Sequence, residues 1–259
     1  MTHPISETFA RGQHRRYAGW DLGLRTEPGD GWTSIATLAA DTELLRALLI
    51  STGDVIGSDR SDVQASICLE QYTWRLVLPL AGALVAEQRV ALLAAHDVQL
   101  RASPAHMAEL RMSPTRFVAL PGDPASTHAD AIVASTPADL VEHFRTTLAN
   151  HFTIVIGGLR SVSYRAERAL WRSVCDRTAM ALLYAGLACG ERHSGEQLAH
   201  EILGVSHPLD HPPAYADVCV QDGSSRAHLR CGCCLWWRTA AGGYCATCPL
   251  RRHAHRVLP

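Results

Sequence analysis

Apolar residues recur at helical spacing over much of the chain. Between residues 34 and 50 they return every three or four positions, which predicts a helix with one buried face. Ser61, with Gln64 three positions later, resembles a capping box and predicts the start of a second helix. We expect Pro79 to kink or end that helix. Residues 1–30 show no clear period and are predicted to form an arm or loops.

The middle of the chain changes to a shorter, partly alternating pattern. Residues 98–102, 107–112 and 116–120 alternate in part between apolar and polar side chains, as half-buried strands do. We expect these three segments to form one small sheet. Residues 121–135 are predicted to form a loop.

Helical spacing then returns. Residues 136–139 (Thr-Pro-Ala-Asp) combine an N-cap, a proline at the first helical position and an acid in the first turn. They predict a helix to about His151, after which residues 153–156 are either a buried strand or a further helical turn. The longest helical pattern covers residues 163–189, with Gly190 as its C-terminal stop.

The last part of the chain predicts a hairpin. A short helix is expected over residues 194–204, and three prolines in residues 205–213 predict a linker. Residues 215–220 and 226–230, joined by a turn containing Asp222-Gly223, have the pattern of two antiparallel strands.

These elements predict an α+β fold that is mainly helical. We expect a body over residues 1–213 with a small antiparallel sheet. Residues 214–259 would then form a C-terminal segment that contains the hairpin and a cysteine-rich stretch.

The amino-acid composition and the net charge exclude several classes of protein. Of the 259 residues 47% are hydrophobic and 19% are charged, with a formal net charge of −1, which favours a folded chain over a disordered one. Near-neutral charge also argues against non-specific nucleic-acid binding. The longest uncharged stretches, residues 76–86 and 178–190, are shorter than the roughly 20 apolar residues that span a bilayer. We expect a cytoplasmic protein with no transmembrane segment and no nucleic-acid partner.

Five of the nine cysteines lie close together near the C-terminus, at positions 231, 233, 234, 245 and 248. Cys245 and Cys248 form a CxxC pair, whose two sulfurs can reach one metal. Spacing alone does not identify the other two ligands. A set of four cysteines is completed either by Cys231 and Cys234 or by Cys233 and Cys234. Four thiolates suit either zinc or an iron–sulfur cluster.

The pattern C-C-x10-C-x2-C followed by proline resembles the C-terminal motif of the FhuF-like ferric-siderophore reductases. The resemblance implies that Cys233, Cys234, Cys245 and Cys248 ligate a 2Fe–2S cluster. The flanking residues agree: Arg230 before the pair, Leu235, Trp236 and Trp237 after it, and Gly243-Tyr244 before the third cysteine. The Ser-Val-Ser-x-Arg stretch at 161–165 is similar to the family's central region. Cys231 is an extra thiol that departs from the motif.

The resemblance also implies an activity. Such an enzyme reduces Fe(III)–siderophore complexes by one-electron transfer from the cluster and releases Fe(II) in the cytoplasm, with hydroxamate siderophores as the usual substrates. The chain has no nicotinamide or flavin fingerprint, so we expect a protein electron donor such as a ferredoxin. Residues 221–259 contain six arginines and one acid, a balance that would attract an acidic donor.

A hypothesis from a different class remains open at this point. The same cysteines could hold zinc in a ribbon that stabilises a binding module without redox activity. The sequence identifies no substrate-binding residue for either alternative.

Overall fold

The computed structural model describes residues 3–14, 30–103, 106–220 and 223–251. Within these ranges the fold is α+β and mainly helical, as predicted. The helices are α1 Pro4–His14, α2 Ile35–Ala40, α3 Thr42–Ile56, α4 Ser61–Glu87, α5 Pro137–Val162, α6 Glu167–Ala188 and α7 Arg192–Ile202. The strands are β1 Thr33–Ser34, β2 Arg89–Leu92, β3 Val98–Ser103, β4 His106–Met112, β5 Arg116–Ala119, β6 Ala131–Val133, β7 Tyr215–Val220 and β8 Gly223–His228.

Helix α4 lies at the centre of the molecule and packs most extensively against α6. Nearly all of its residues are buried, Pro79 among them, and the helix continues for two further turns beyond that proline. The prediction that Pro79 ends the helix was therefore wrong. Apolar side chains pack on all sides of α4 and keep the residues after Pro79 helical. The expected capping box is also not formed, since the Gln64 side chain donates to the Ser58 carbonyl oxygen at 2.9 Å.

The N-terminal region contains a helix that its sequence pattern did not reveal. Helix α1 packs on α4 through Ile5 and Phe9, which are both buried. The helix predicted over 34–50 is two helices, α2 and α3, that meet at Asp41. The Asp41 carboxylate accepts hydrogen bonds from the first backbone N–H groups of α3 at 3.0 Å and so caps it.

The three strands predicted for one sheet belong to two sheets. Strands β1, β3 and β4 form an antiparallel sheet. Strand β5 instead lies between β2, its antiparallel neighbour, and β6, which runs parallel to it. The sequence pattern identified the strands but not their partners, because pairing depends on contacts between distant segments.

The C-terminal half follows the predictions more closely. Thr136 is the N-cap of α5, as expected, and also forms a capping box with Asp139, while residues 153–156 continue that helix. Helix α6 begins at Glu167, four residues later than expected, and stops before Gly190, which has a φ of +75°. Helix α7 begins two residues earlier than predicted.

The predicted hairpin is present, with an altered turn. Strands β7 and β8 are antiparallel, and Val220 pairs with Gly223. Residue 223 therefore belongs to the strand, and residues 221–222, which connect the two strands, lie outside the described ranges. In the described ranges no helix is long and apolar enough to cross a membrane.

The cysteine-rich segment packs against helices α3 and α4. Leu235 joins Ile56, Val63 and Ile67 in a small apolar cluster, and Cys233 packs against it. The predicted boundary between two parts of the chain at residue 213 stays a prediction. In this cluster, buried side chains from both sides of that residue contact each other.

Candidate iron–sulfur centre

Two sulfurs of the cysteine motif are in contact, and the other two cysteines lie near enough to interact with them electrostatically. The Sγ atoms of Cys234 and Cys245 are 3.4 Å apart. The thiols of Cys233 and Cys245 each interact electrostatically with Cys234 and Cys248. Cys234 and Cys248 are buried, whereas Cys233 and Cys245 are partly exposed. One side of the group therefore faces the protein interior and the other approaches the surface.

Local backbone geometry brings these sulfurs to one side. The Cys248 N–H donates to the Cys245 carbonyl at 3.0 Å, which closes the tight turn of the CxxC pair. Consecutive residues of an extended chain point in opposite directions, so Cys233 and Cys234 need a twisted backbone to share a site. The chain turns directly after them, where Leu235 adopts a φ of +64° and its N–H donates to the Cys233 sulfur at 3.4 Å.

The contact between the Cys234 and Cys245 sulfurs shifts their pKa values in opposite directions. It lowers the pKa of Cys234, and the Arg230 charge lowers that pKa further. The same contact raises the pKa of Cys245. Because thiolates are the metal-binding form, metal binding at this pair releases protons.

Cys231, the extra thiol, has its neighbours on α6. Its backbone N–H donates to Asp176 Oδ1 at 2.8 Å, and its sulfur lies 4.0 Å from the Arg172 carbonyl oxygen. Burial and the Asp176 carboxylate raise the pKa of Cys231 to about 12. These contacts tie Cys231 to α6, and the choice between the two ligand sets stays a prediction.

A buried ion network connects the cysteine segment to the helices. Glu70 of α4 accepts hydrogen bonds from both terminal nitrogens of Arg230, one of them at 3.0 Å, and from Nε of Arg177 on α6. The side chains of Glu70 and Arg230 are only 2% and 7% exposed. Burial by itself would raise the pKa of Glu70, but the two guanidinium groups bring it down to about 2.

A second carboxylate holds the backbone immediately before the cysteine pair. Asp176 of α6 accepts from the N–H groups of Cys231 and Gly232 at 2.8 and 2.9 Å, and pairs with His228 Nε2 at 2.8 Å. Gly232 is required by space, because an added Cβ would lie 2.9 Å from Cβ of Arg172. The Asp176 contacts therefore fix the path by which the chain enters the motif.

Arg165 provides a third anchor for the motif. Its Nη2 donates to the Cys233 carbonyl at 2.6 Å. The Ser-Val-Ser-x-Arg stretch contains this residue, so the sequence carried a signal for it. Glu70, Asp176 and Arg177 were missed, although two acids inside strongly apolar helical patterns could have indicated buried ionic partners.

An open cleft of about 440 Å³ adjoins the sulfurs of Cys234 and Cys245. Its wall combines charged, amide and aromatic side chains. The residues lining it in addition to the two cysteines include Gln71, Arg177, Arg230, Trp236 and Tyr244. Trp236 is 37% exposed and Tyr244 51% exposed, so both rings are accessible at its rim.

Residues 230–250 match the family model of the FhuF 2Fe–2S C-terminal domain. The match covers 21 of the 259 residues. The cofactor of the FhuF-type domain is a 2Fe–2S cluster, as the resemblance of the motif implied. Its residues fit such a cofactor, because soft thiolates lie together beside the buried Arg230, whose charge complements an anionic cluster.

The comparisons that extend over the whole chain give weaker similarities than the family model does. A solved structure titled as aerobactin synthetase IucC, from a hypervirulent pathotype of Klebsiella pneumoniae, is similar with a TM-score of 0.46 and 13% sequence identity. The similarity covers 72% of this chain and 35% of the synthetase, so the chain spans about a third of that protein's length. No curated protein sequence matches the chain.

Proposed function

We propose that the protein is a ferric-siderophore reductase whose 2Fe–2S cluster is bound by Cys233, Cys234, Cys245 and Cys248. The observation that supports this most is the cleft beside Cys234 and Cys245. A bulky iron complex that enters it comes into contact with cluster ligands without any bond to the protein. When bound, the cluster supplies one electron, and Fe(II) then leaves the siderophore because hard oxygen donors hold it less tightly than Fe(III).

The chain's own residues define the charge of the cleft. Glu70 offsets one of the two positive charges of Arg177 and Arg230, so these three groups leave one net positive charge beside the thiolates. Four thiolates, two sulfides and two Fe(III) ions carry a net charge of −2, so the occupied site is anionic overall. A neutral complex, such as Fe(III) with three hydroxamates, meets little repulsion there, and this supports hydroxamate siderophores as substrates.

The aromatic rim gives the complex a surface to lie on. Trp236 and Tyr244 expose ring faces beside the cleft, and their apolar area can cover the carbon skeleton of a siderophore. Gln71 and Arg177 then offer donors to the oxygen atoms of the complex. The role of this wall is to bind and orient, while the thiolate side of the cleft delivers the electron.

The electron donor in this proposal is an acidic protein such as a ferredoxin. Arg238 and Trp237 are both about one third exposed, and the Arg238 guanidinium lies 4.7 Å from the ring centre of Trp237 and 3.7 Å from Oδ2 of Asp62. Reduction by such a donor should slow as salt is added, because screening weakens attraction between exposed charges. A rate independent of ionic strength would refute the acidic donor.

The location that we propose is the cytoplasm. The cysteines whose side chains the structure describes are free, and the pKa values of Cys68 and Cys175 are raised by burial. Unpaired thiols in this number are typical of a reducing compartment.

The test begins with a visible spectrum of the anaerobically purified protein before and after dithionite, with iron and zinc counted in the same sample. We expect about two irons per chain and bleaching on reduction. The reduced protein is then mixed with a ferric hydroxamate complex and an Fe(II)-specific chelator. The visible absorbance should return as the Fe(II) chelate forms. A colourless protein with zinc, or a reduced protein that the ferric complex does not reoxidise, would refute the proposal.

A further inference from the structure

A second group of metal-ligating side chains lies at the other end of α4. His3 immediately precedes α1, and His128 and Asp130 lie between β5 and β6. Helix α4 contacts the cysteine segment through Glu70 and contacts α1 through Glu87. The helix rises about 25 Å between those two residues. The group is therefore separate from the cluster site.

The distances within the group suit a single ion. Nε2 of His3 and Nδ1 of His128 each lie 3.6 Å from Oδ2 of Asp130. One donor atom from each of the three side chains lies within 4.8 Å of the others. Two ligands held at about 2.1 Å in tetrahedral geometry are roughly 3.4 Å apart. Both contacts to Asp130 are close to that spacing, and the donor atoms of the two imidazoles lie within 4.8 Å of each other.

The ring nitrogens of His3 lack the partners that shielded nitrogens normally have. Both are hidden from solvent, and neither has a hydrogen bond within the described residues. Nδ1 of His128 lies 3.6 Å from Oδ2 of Asp130 and accepts a 3.2 Å hydrogen bond from the Asp130 N–H. An ion beside Oδ2 of Asp130 would satisfy His3 and would replace the Asp130 N–H as the partner of the His128 lone pair.

Aromatic contacts hold the His3 ring in place. Its centre lies 5.6 Å from that of Phe117 and 5.3 Å from that of His128, with edge-to-face geometry in both cases. Phe117 is fully buried on β5 and provides a fixed surface for the imidazole. The orientation of the ring toward Asp130 therefore precedes any ion, which reduces the ordering that binding requires.

We propose that His3, His128 and Asp130 bind one divalent first-row transition-metal ion. Two imidazoles and one carboxylate are donors that Zn(II), Co(II) and Fe(II) accept, with the remaining positions taken by water. Magnesium and calcium prefer oxygen ligands alone, so they should compete poorly. The ion would tie the start of α1 to the connection between β5 and β6.

The test is a calorimetric titration of the cluster-loaded, tag-free protein with Zn(II). Its visible absorbance is followed in parallel to verify that the cluster stays intact. We expect one zinc per chain outside the cluster and a higher Tm in its presence. His128→Ala and Asp130→Asn should each weaken binding at least about tenfold. His96→Ala is the matched control, because exposed His96 also faces an aspartate, Asp97, at 3.3 Å.

The proposal fails if zinc does not bind outside the cluster. It also fails if His128→Ala and Asp130→Asn bind zinc as tightly as the unchanged protein, or if excess Mg(II) displaces the zinc. Asp130→Asn keeps the side-chain size, so a native circular dichroism spectrum of that variant separates loss of a ligand from loss of the fold.

Discussion

The buried carboxylate of Glu70 should stabilise both the fold and the cysteine segment, and Glu70→Gln tests this. The substitution keeps the size of the side chain but leaves Arg230 and Arg177 facing a neutral amide. Removal of one partner from a buried ion pair costs about 3–5 kcal/mol, because the other charge remains desolvated. We expect a loss of that order in the free energy of unfolding at pH 7, together with faster loss of the cluster absorbance.

The pKa of Glu70 gives a second, independent value for the stability that its carboxylate contributes. It falls from an ordinary value of 4.5 to about 2 in the folded protein. A depressed folded-state pKa means that the carboxylate stabilises the fold above about pH 4.5, and that this stabilisation is lost as the pH falls toward 2. The shift corresponds to about 3 kcal/mol. Both routes therefore give a similar size for the effect.

The assay is urea unfolding followed by circular dichroism, at pH 7 and at several values below pH 5. The matched control is Glu142→Gln, since Glu142 is 57% exposed and pairs with Arg145 at the surface. Such a pair contributes about 0–1 kcal/mol. The difference between the unchanged protein and Glu70→Gln should shrink as the pH falls through the Glu70 pKa. Equal effects of the two substitutions, or a difference independent of pH, would refute the reasoning.

Three further predictions concern the cluster and its cleft. Cys245→Ser should abolish the visible absorbance, whereas Cys231→Ser should keep it; colour lost in the second variant would move the ligand set to Cys231. Tyr244→Ala should raise KM for the ferric complex roughly fivefold, because it removes about 1 kcal/mol of contact with the ring. The control is Tyr164→Ala, since Tyr164 is highly exposed. An equal change in KM for the two variants would refute the role of Tyr244 at the rim of the cleft. Gly232→Ala should lower stability by about 1–3 kcal/mol in urea unfolding, because its Cβ meets α6; a neutral result would show that the segment shifts without cost.

The ionic network explains how a short motif can hold a cluster rigidly. Glu70 lies on α4, Asp176 on α6 and Arg165 in the connection between α5 and α6, and each contacts the backbone or the arginine next to the cysteine pair. These contacts limit the motion of the segment before any metal binds. A cluster whose charge changes by one on reduction benefits from such a fixed polar setting, because little reorganisation accompanies the electron.

The features that the sequence determined by itself are local ones. The capping box of α5, the stop before Gly190, the β7–β8 hairpin and the cysteine spacing each depend on residues a few positions apart. Patterns of a few neighbouring residues in the sequence are therefore enough to predict these features. The resemblance of the cysteine motif to the FhuF-like family implied the 2Fe–2S cofactor, whereas the number and spacing of the thiolates alone left zinc open.

The tertiary structure decided whatever depends on distant partners. Pro79 stays inside α4 because the surrounding core outweighs its local cost, and β5 leaves the sheet of β3 and β4 because its neighbours come from other segments. Glu70 meets Arg230 across 160 positions of sequence. His3 meets His128 and Asp130 through the packing of α1 on the second sheet. Burial and long-range approach give these side chains their chemistry, and neither is present in a local pattern.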